Sequence, residues 1–206
     1  MSRGRFVTLE GGEGAGKSTQ LAFVKGWLEG RGRRVLTTRE PGGSKLAEAI
    51  RGLVLQDWPE TMDPQTELLL MFAGRAAHLR ATVVPALDTG TDVVCDRFVD
   101  SSYAYQGAGK GVPEAQIRAL EAMVVGARAP DLTLVLDLPP ELGLARTARR
   151  GEQNRFEAEP LAFMQRVRAA FLARAAAEPQ RCEVIDASQS LAGVQAQIER
   201  VLSERL

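Results

Sequence analysis

Scarcity narrows this chain first: its 206 residues hold a single histidine, two cysteines and no surplus of either charge. Lys plus Arg and Asp plus Glu each total 26. A balanced chain does not carry the broadly basic surface that nucleic acid or an anionic membrane selects, although a local anion site is compatible with it. Cys95 and Cys182 each fall in a strand-like run, with neither the spacing of metal ligands nor a partner set for a disulfide framework. They read as small buried hydrophobes in a protein of the reducing cytoplasm. The only histidine, His78, sits on a long apolar helical run and reads as a helix-surface or interface residue rather than a base. No apolar run reaches membrane-spanning length, and the one before Glu10 is too short for the core of a signal sequence. Repeats, low-complexity tracts and interdomain linkers are absent too, so the expectation is one domain over 1–206, large enough to bury its own core.

Gly11-Gly12-Glu13-Gly14-Ala15-Gly16-Lys17-Ser18 fits G-x-x-x-x-G-K-[ST]. A strand-like segment, Phe6–Leu9, precedes it. Helical spacing follows from Ser18 to Arg31, with Leu21, Val24 and Leu28 on one face. Strand, glycine loop and helix form the setting in which this pattern binds phosphate. Glycines permit positive φ and bring backbone N–H groups close to an anion, and the helix N-terminus adds its dipole. Lys17 supplies a point charge toward the β- and γ-phosphates. The Ser18 hydroxyl is suited to Mg²⁺.

Further strand-like runs are Arg34–Thr38, Asp92–Cys95, Leu132–Leu138 and Arg181–Ile185. Helical patterns cover Ser44–Leu55, Gln65–Leu87, Pro113–Val125, Pro140–Arg150, Pro160–Ala177 and Leu191–Leu206. The central strands are apolar without alternation, so both faces are covered. The expected fold is α/β: a five-stranded parallel sheet with helices on both faces, of the P-loop NTPase kind. Ligands of such sheets bind at the carboxyl ends of the strands. That rule selects the glycine loop, Arg39-Glu40-Pro41-Gly42-Gly43, Asp96-Arg97 and Asp137.

Asp96 suits Mg²⁺ or its water, and Arg97 suits a bidentate phosphate contact; a plain ion pair at a strand end is the simpler alternative. Arg51 either reaches the same site or lies on a solvated helix face. Arg146, Arg149 and Arg150 share one side of a helix, Gly151 ends it, and Arg155 follows in a polar loop. Complementing a helix dipole accounts for one or two of these arginines more readily than four. The functional reading is a lid over about 146–158 that brings charge onto a transferring phosphoryl group. Ser101-Ser102-Tyr103-Ala104-Tyr105-Gln106-Gly107 is rich in hydrogen-bonding groups, and an amide such as Gln106 is able to read the edge of a base.

The glycine loop, Thr38-Arg39-Glu40-Pro41-Gly42-Gly43, Asp96-Arg97-Phe98, Ala104-Tyr105-Gln106-Gly107, Pro130-Asp131-Leu132-Thr133 and Arg155-Phe156-Glu157 occur in one order across nearly the whole chain. Together they resemble the bacterial thymidylate (dTMP) kinases. The resemblance implies an ATP- and Mg²⁺-dependent enzyme that phosphorylates dTMP to dTDP for dTTP synthesis. It would be a cytoplasmic homodimer that takes small nucleotides and neither nucleic acid nor membrane as partners. It assigns ATP to Gly11, Gly12, Glu13, Gly14, Ala15, Gly16, Lys17, Ser18 and Thr19 with Arg146 and Arg149, and Mg²⁺ to Ser18 and Asp96. Glu13 would contact the 3′-hydroxyl of the sugar. Arg97 would grip the acceptor phosphate, with Glu40 and Arg51 nearby. Arg75, Ser102 and Gln106 would read the base, and Tyr105 would crowd the 2′ position.

Lys17, Arg97, Glu13, Arg150 and Arg155 are then the expected catalytic set. Gly14 occupies the slot where one subclass of the family carries an arginine, so the charge would come from the lid. The base-stacking position falls on Met71, or on Phe72 if the register is shifted by one. Another nucleoside-monophosphate or deoxynucleoside kinase is the near alternative, and Arg39, Arg51 and Arg97 favour a monophosphate. A P-loop switch protein is the alternative of a different class, but the Asn-Lys-x-Asp guanine signature is absent from the sequence.

Overall fold

A computed structural model describes residues 3–148 and 159–206. Its centre is a parallel sheet of β1 (Phe6–Glu10), β2 (Val35–Arg39), β3 (Asp92–Asp96), β4 (Leu132–Asp137) and β5 (Cys182–Asp186), in the order β2-β3-β1-β4-β5. Each strand lies within one residue of its expected bounds. β1 pairs with β3 (Phe6 with Val93) and with β4 (Val7 with Leu132), so the strand that feeds the glycine loop is central.

Side chains along a strand point alternately to opposite faces, and two apolar layers result. Val7, Leu9, Val94, Leu134 and Leu136 pack with Val24 and Leu28 of α1 (Lys17–Glu29) and Ile198 and Leu202 of α9 (Leu191–Arg205). On the other face Phe6, Val93 and Cys95 pack with Leu68 and Phe72 of α3 (Pro64–His78) and Ile117 of α6 (Glu114–Val124). Val135 and Cys182 pack on Phe163, Val167 and Phe171 of α8 (Leu161–Ala177).

Local chemistry fixes where the helices begin. Ser44 Oγ accepts the Ala47 N–H and starts α2 (Lys45–Leu55). Asp63 accepts from Gln65 and Thr66, with Pro64 opening α3. α7 (Pro140–Ala148) is the last element before residue 149.

Two expectations about helices change. The single helix expected over Gln65–Leu87 is three pieces: α3, a π-helical turn Leu79–Val83 and α4 (Val84–Asp88). Pro85 has no N–H for an ordinary helical bond, and the Val84 N–H reaches back to Leu79 O through the wider turn. The stretch after β3, where the sequence pattern pointed to no helix, forms α5 (Val99–Ser102) followed by a π-helical turn, Tyr103–Gly109. Among the described residues, no helix is long and apolar enough to cross a membrane.

Candidate active site

The carboxyl ends of β1, β2 and β3 converge on the glycine loop. Gly11, Gly14 and Gly16 have φ of 137°, 71° and 89°. A Cβ at Gly11 would lie 2.5 Å from Leu136 O, and one at Gly14 would lie 2.3 Å from Gly143 O. The loop is therefore closely backed by β4 on one side and α7 on the other. Gly143 reciprocates, since a Cβ there would lie 2.3 Å from Glu13 O.

Lys17 is buried, and its ammonium donates to Gly11 O (3.1 Å) and Gly12 O (2.9 Å). Burial, then the Arg97 charge, lowers its pKa from 10.5 to about 8 against the pull of Glu13, Asp96 and Glu10. Arg97 is the one non-glycine residue with positive φ among those described, at 69°. Its guanidinium donates to Gly11 O (2.9 Å), Ser101 Oγ (3.3 Å) and Glu13 Oε1 (2.7 Å). Burial works against its charge, but Glu13 and the neighbouring acidic groups outweigh that and hold its pKa above the ordinary value. Tyr105 donates to the same Glu13 oxygen at 2.9 Å, and Arg97 lies 5.0 Å over its ring.

Two cavities meet here. The first, of about 330 Å³, is lined by Gly14, Gly16, Lys17, Ser18, Thr19, Arg39 and Asp96. The second, of about 100 Å³, is lined by Pro41, Leu55, Met71, Ser101, Tyr105 and Gln106. Glu13, Glu40, Arg51 and Arg97 line both. A polar chamber at the phosphate loop thus opens through a pair of guanidiniums and a pair of carboxylates into a narrower, partly apolar slot.

Comparison with known proteins decides what this arrangement belongs to. The family model for thymidylate kinase matches residues 9–198. A thymidylate kinase of Chromohalobacter salexigens is 56% identical, over 100% of this chain and 98% of its own. One from Pseudomonas fluorescens is 55% identical over 98% and 97%. The chain belongs to the thymidylate kinase family. A crystal structure of thymidylate kinase from Ehrlichia chaffeensis superposes with a TM-score of 0.78 at 32% identity, covering 97% of this chain and 99% of that one.

Within this thymidylate kinase frame, most of the residues named from sequence fall into three groups, with Arg146 apart from them. Glu13, Lys17, Ser18, Thr19, Glu40, Arg51, Met71, Asp96, Arg97, Tyr105 and Gln106 line the two cavities. Phe72, Arg75 and Ser102 stand behind that wall. Phe72 is 2% exposed in the core, so of the two stacking candidates it is Met71 that lines the cavity. Arg75 is 1% exposed and donates to Glu40 Oε2 (2.7 Å), Ser102 Oγ (3.2 Å) and Phe98 O (3.1 Å). Arg146 extends from α7 to 3.4 Å from both Gly14 O and Ala187 O. Arg149, Arg150 and Arg155 form the third group and lie outside the described residues.

His78 corrects the sequence reading. It is fully buried, not on a helix surface or interface: Nδ1 is 3.0 Å from Glu40 Oε1 and Nε2 is 2.7 Å from Thr38 Oγ1. Its turn of α3 faces the end of β2, so His78 and Arg75 together fix both oxygens of Glu40.

Glu10 was not read from the sequence at all. Its buried carboxylate accepts from Phe98 N (2.8 Å), Ser101 N (3.2 Å) and Ser101 Oγ (2.6 Å), and so ties down the turn that carries Arg97. Burial, then the charge of Asp100, pushes its pKa up to about 7. A carboxylate at the last position of an otherwise apolar strand was the available signal.

For a divalent cation the chamber offers suitable donors. Asp96 Oδ1 is buried and takes no hydrogen bond among the described residues, and the same chamber is lined by Ser18. Mg²⁺ takes hard oxygen ligands, with few from protein and the rest from phosphate and water. Ser18 and Asp96 fit that demand.

Proposed function

We propose that this chain transfers the γ-phosphoryl group of ATP to dTMP, giving ADP and dTDP on the route to dTTP. Membership of the family supports the reaction. One observation supports its location: Glu13, Glu40, Arg51 and Arg97 are walls of both cavities. A donor seated on the glycine loop and an acceptor in the slot then have their phosphates at one junction, between two guanidiniums. In this reading Lys17 leaves its carbonyl partners for the donor's phosphates, and the loop N–H groups hold the rest. Arg97 and Arg51 bind the acceptor phosphate. Met71 packs on the base and Gln106 reads it. Tyr105, pinned by Glu13, fills the space a 2′-hydroxyl would need.

Ser18 and Asp96 would hold Mg²⁺, which neutralises phosphate charge when bound. Phosphoryl transfer relies on positioning and charge neutralisation more than on a strong base. The absence of a free histidine from the described walls is consistent with that. The single-domain organisation with a lid over about 146–158 belongs to the same reading, and its arginines supply the charge that Gly14 does not.

The homodimer is also part of the proposal. Leu46 (63% exposed), Leu53 (41%), Leu69 (58%) and Met123 (75%) on α2, α3 and α6 support a subunit contact. The free, buried thiols of Cys95 and Cys182 support a reducing cytoplasm as its compartment.

The test is ADP release with each deoxynucleoside and ribonucleoside monophosphate, with and without Mg²⁺, and light scattering for mass. Preference for any monophosphate other than dTMP refutes the acceptor assignment.

A further inference from the structure

Gln106 is 1% exposed on the wall of the acceptor slot. Its Nε2 donates to Glu67 Oε1 at 2.9 Å, while its own Oε1 is buried and takes no hydrogen bond among the described residues. Glu67 is fully buried on α3, and its other oxygen, Oε2, accepts from Lys110 Nζ at 2.8 Å. Lys110 caps the π-helical turn that carries Gln106. A carboxylate held by an ammonium accepts hydrogen bonds and donates none. The amide nitrogen of Gln106 must therefore face Glu67, and its oxygen is the atom left for the slot.

We infer that Glu67, held by Lys110, is the positioning residue that sets the polarity of the base-reading atom. It fixes Gln106 as an acceptor and so selects a base with an imide N–H, as in thymine or uracil, against one with a lone pair at that nitrogen, as in cytosine. This inference rests on the reading of Gln106 as a base contact. It explains why the interior keeps a buried carboxylate that lines neither cavity. Neutral hydrogen-bonding partners would hold the same shape, but they would let the amide turn over.

Glu67→Gln tests this without changing volume. Lys110 still demands an oxygen, so the new amide turns its oxygen to Lys110 and its NH₂ to Gln106. Gln106 then reverses, accepts from residue 67, and presents its NH₂ to the slot. Steady-state kinetics with dTMP and dCMP measure the consequence. The ratio of kcat/KM for dTMP over dCMP should fall at least about tenfold, because an attractive contact becomes a repulsive one for the imide and the reverse for cytosine. The loss for dTMP should appear mainly in KM.

The exchanged pair E67Q/Q106E places a carboxylate at 106 and an amide at 67, keeps the charge near Lys110, and again presents an acceptor to the slot. Its preference for dTMP should recover relative to the single variant. Thermal melts establish that each variant is folded. If Glu67→Gln weakens dTMP and dCMP use alike, or leaves the ratio unchanged, Glu67 is structural and the inference fails. If the single variant does not fold, the exchanged pair decides: preference for dTMP supports the inference and its loss overturns it. Gln106→Leu separates the two levels of the argument. An unchanged dTMP to dCMP ratio in that variant removes Gln106 from base reading and takes both claims down together.

Discussion

Replacing Lys17 with methionine should make the nucleotide-free protein more stable while abolishing its activity. The ammonium is buried, and burial with the Arg97 charge lowers its pKa from 10.5 to about 8. A displacement of that size is about 3 kcal/mol of unfavourable free energy for carrying the charge in the folded state. Its two hydrogen bonds to Gly11 O and Gly12 O return about 1 kcal/mol each, and in the variant Gly11 O keeps the Arg97 guanidinium as a donor. The net expectation is a gain of about 1 kcal/mol for Lys17→Met at pH 7, or roughly 2–4 °C in melting temperature for a chain of this size.

The pH dependence gives the sign independently. Below about 8 the lysine is protonated in both folded and unfolded chains, and the wild type carries its full deficit. Between about 8 and 10.5 the unfolded chain binds more protons, so wild-type stability rises with pH relative to the variant and the gap closes. Urea unfolding at 25 °C from pH 7 to 10, in EDTA and without nucleotide, measures this. ADP release measures activity. A variant no more stable than wild type at pH 7, or a gap that does not shrink with pH, refutes the account of Lys17 as a charge held at a cost for its ligand.

Phe72→Ala should cost about 3–5 kcal/mol of stability through the core, whereas Met71→Ala should chiefly raise KM for dTMP; urea midpoints and acceptor titrations separate the two. Tyr105→Ala should narrow the kcat/KM gap between dTMP and its ribonucleotide counterpart, and an unchanged ratio would leave Tyr105 a packing residue. Among alanine variants of Arg146, Arg149, Arg150 and Arg155, at least one, with Arg150 or Arg155 expected foremost, should lower kcat a hundredfold or more, roughly 3 kcal/mol of barrier. Its dTMP binding should change much less. If all four keep kcat within about threefold, the charge comes from elsewhere.

The sheet was legible because each strand is a compact apolar run, and the loop because its chemistry is local. Five consecutive apolar or small residues, Leu132 to Leu136, ahead of the terminal carboxylate of Asp137 leave little room for another assignment. Partnerships across long separations were not legible. Glu40 meets Arg75 and His78 only because α3 crosses the end of β2, so periodicity showed His78 on a helix but not what that face touched. Glu67 and Gln106 are 39 residues apart in sequence and looked unrelated. The break at Leu79–Val83 was signalled by Pro85, but the apolar spacing on either side runs through it. The choice between Met71 and Phe72 turned on one step of helix rotation, about 100°, which spacing alone leaves open.

The central place of β1 has a consequence for how the chain acquires its site. Phe6 to Glu10 are made first, but their partners are Val93 to Asp96 and Leu132 to Val135. Pairings so distant in sequence close late, because the entropy of the intervening loops is lost before any contact compensates it. Arg97 and Gly143, which brace the loop from either side, also come long after it, Arg97 86 residues beyond Gly11 and Gly143 in the second half of the chain. A growing polypeptide that has passed its phosphate-binding motif therefore has no phosphate site yet. Nucleotide in the surrounding solution gives no foothold to the segment before β3 on its own. It stabilises only chains whose first strand has already been enclosed by the third and fourth, and so it acts on the last step of assembly, not the first.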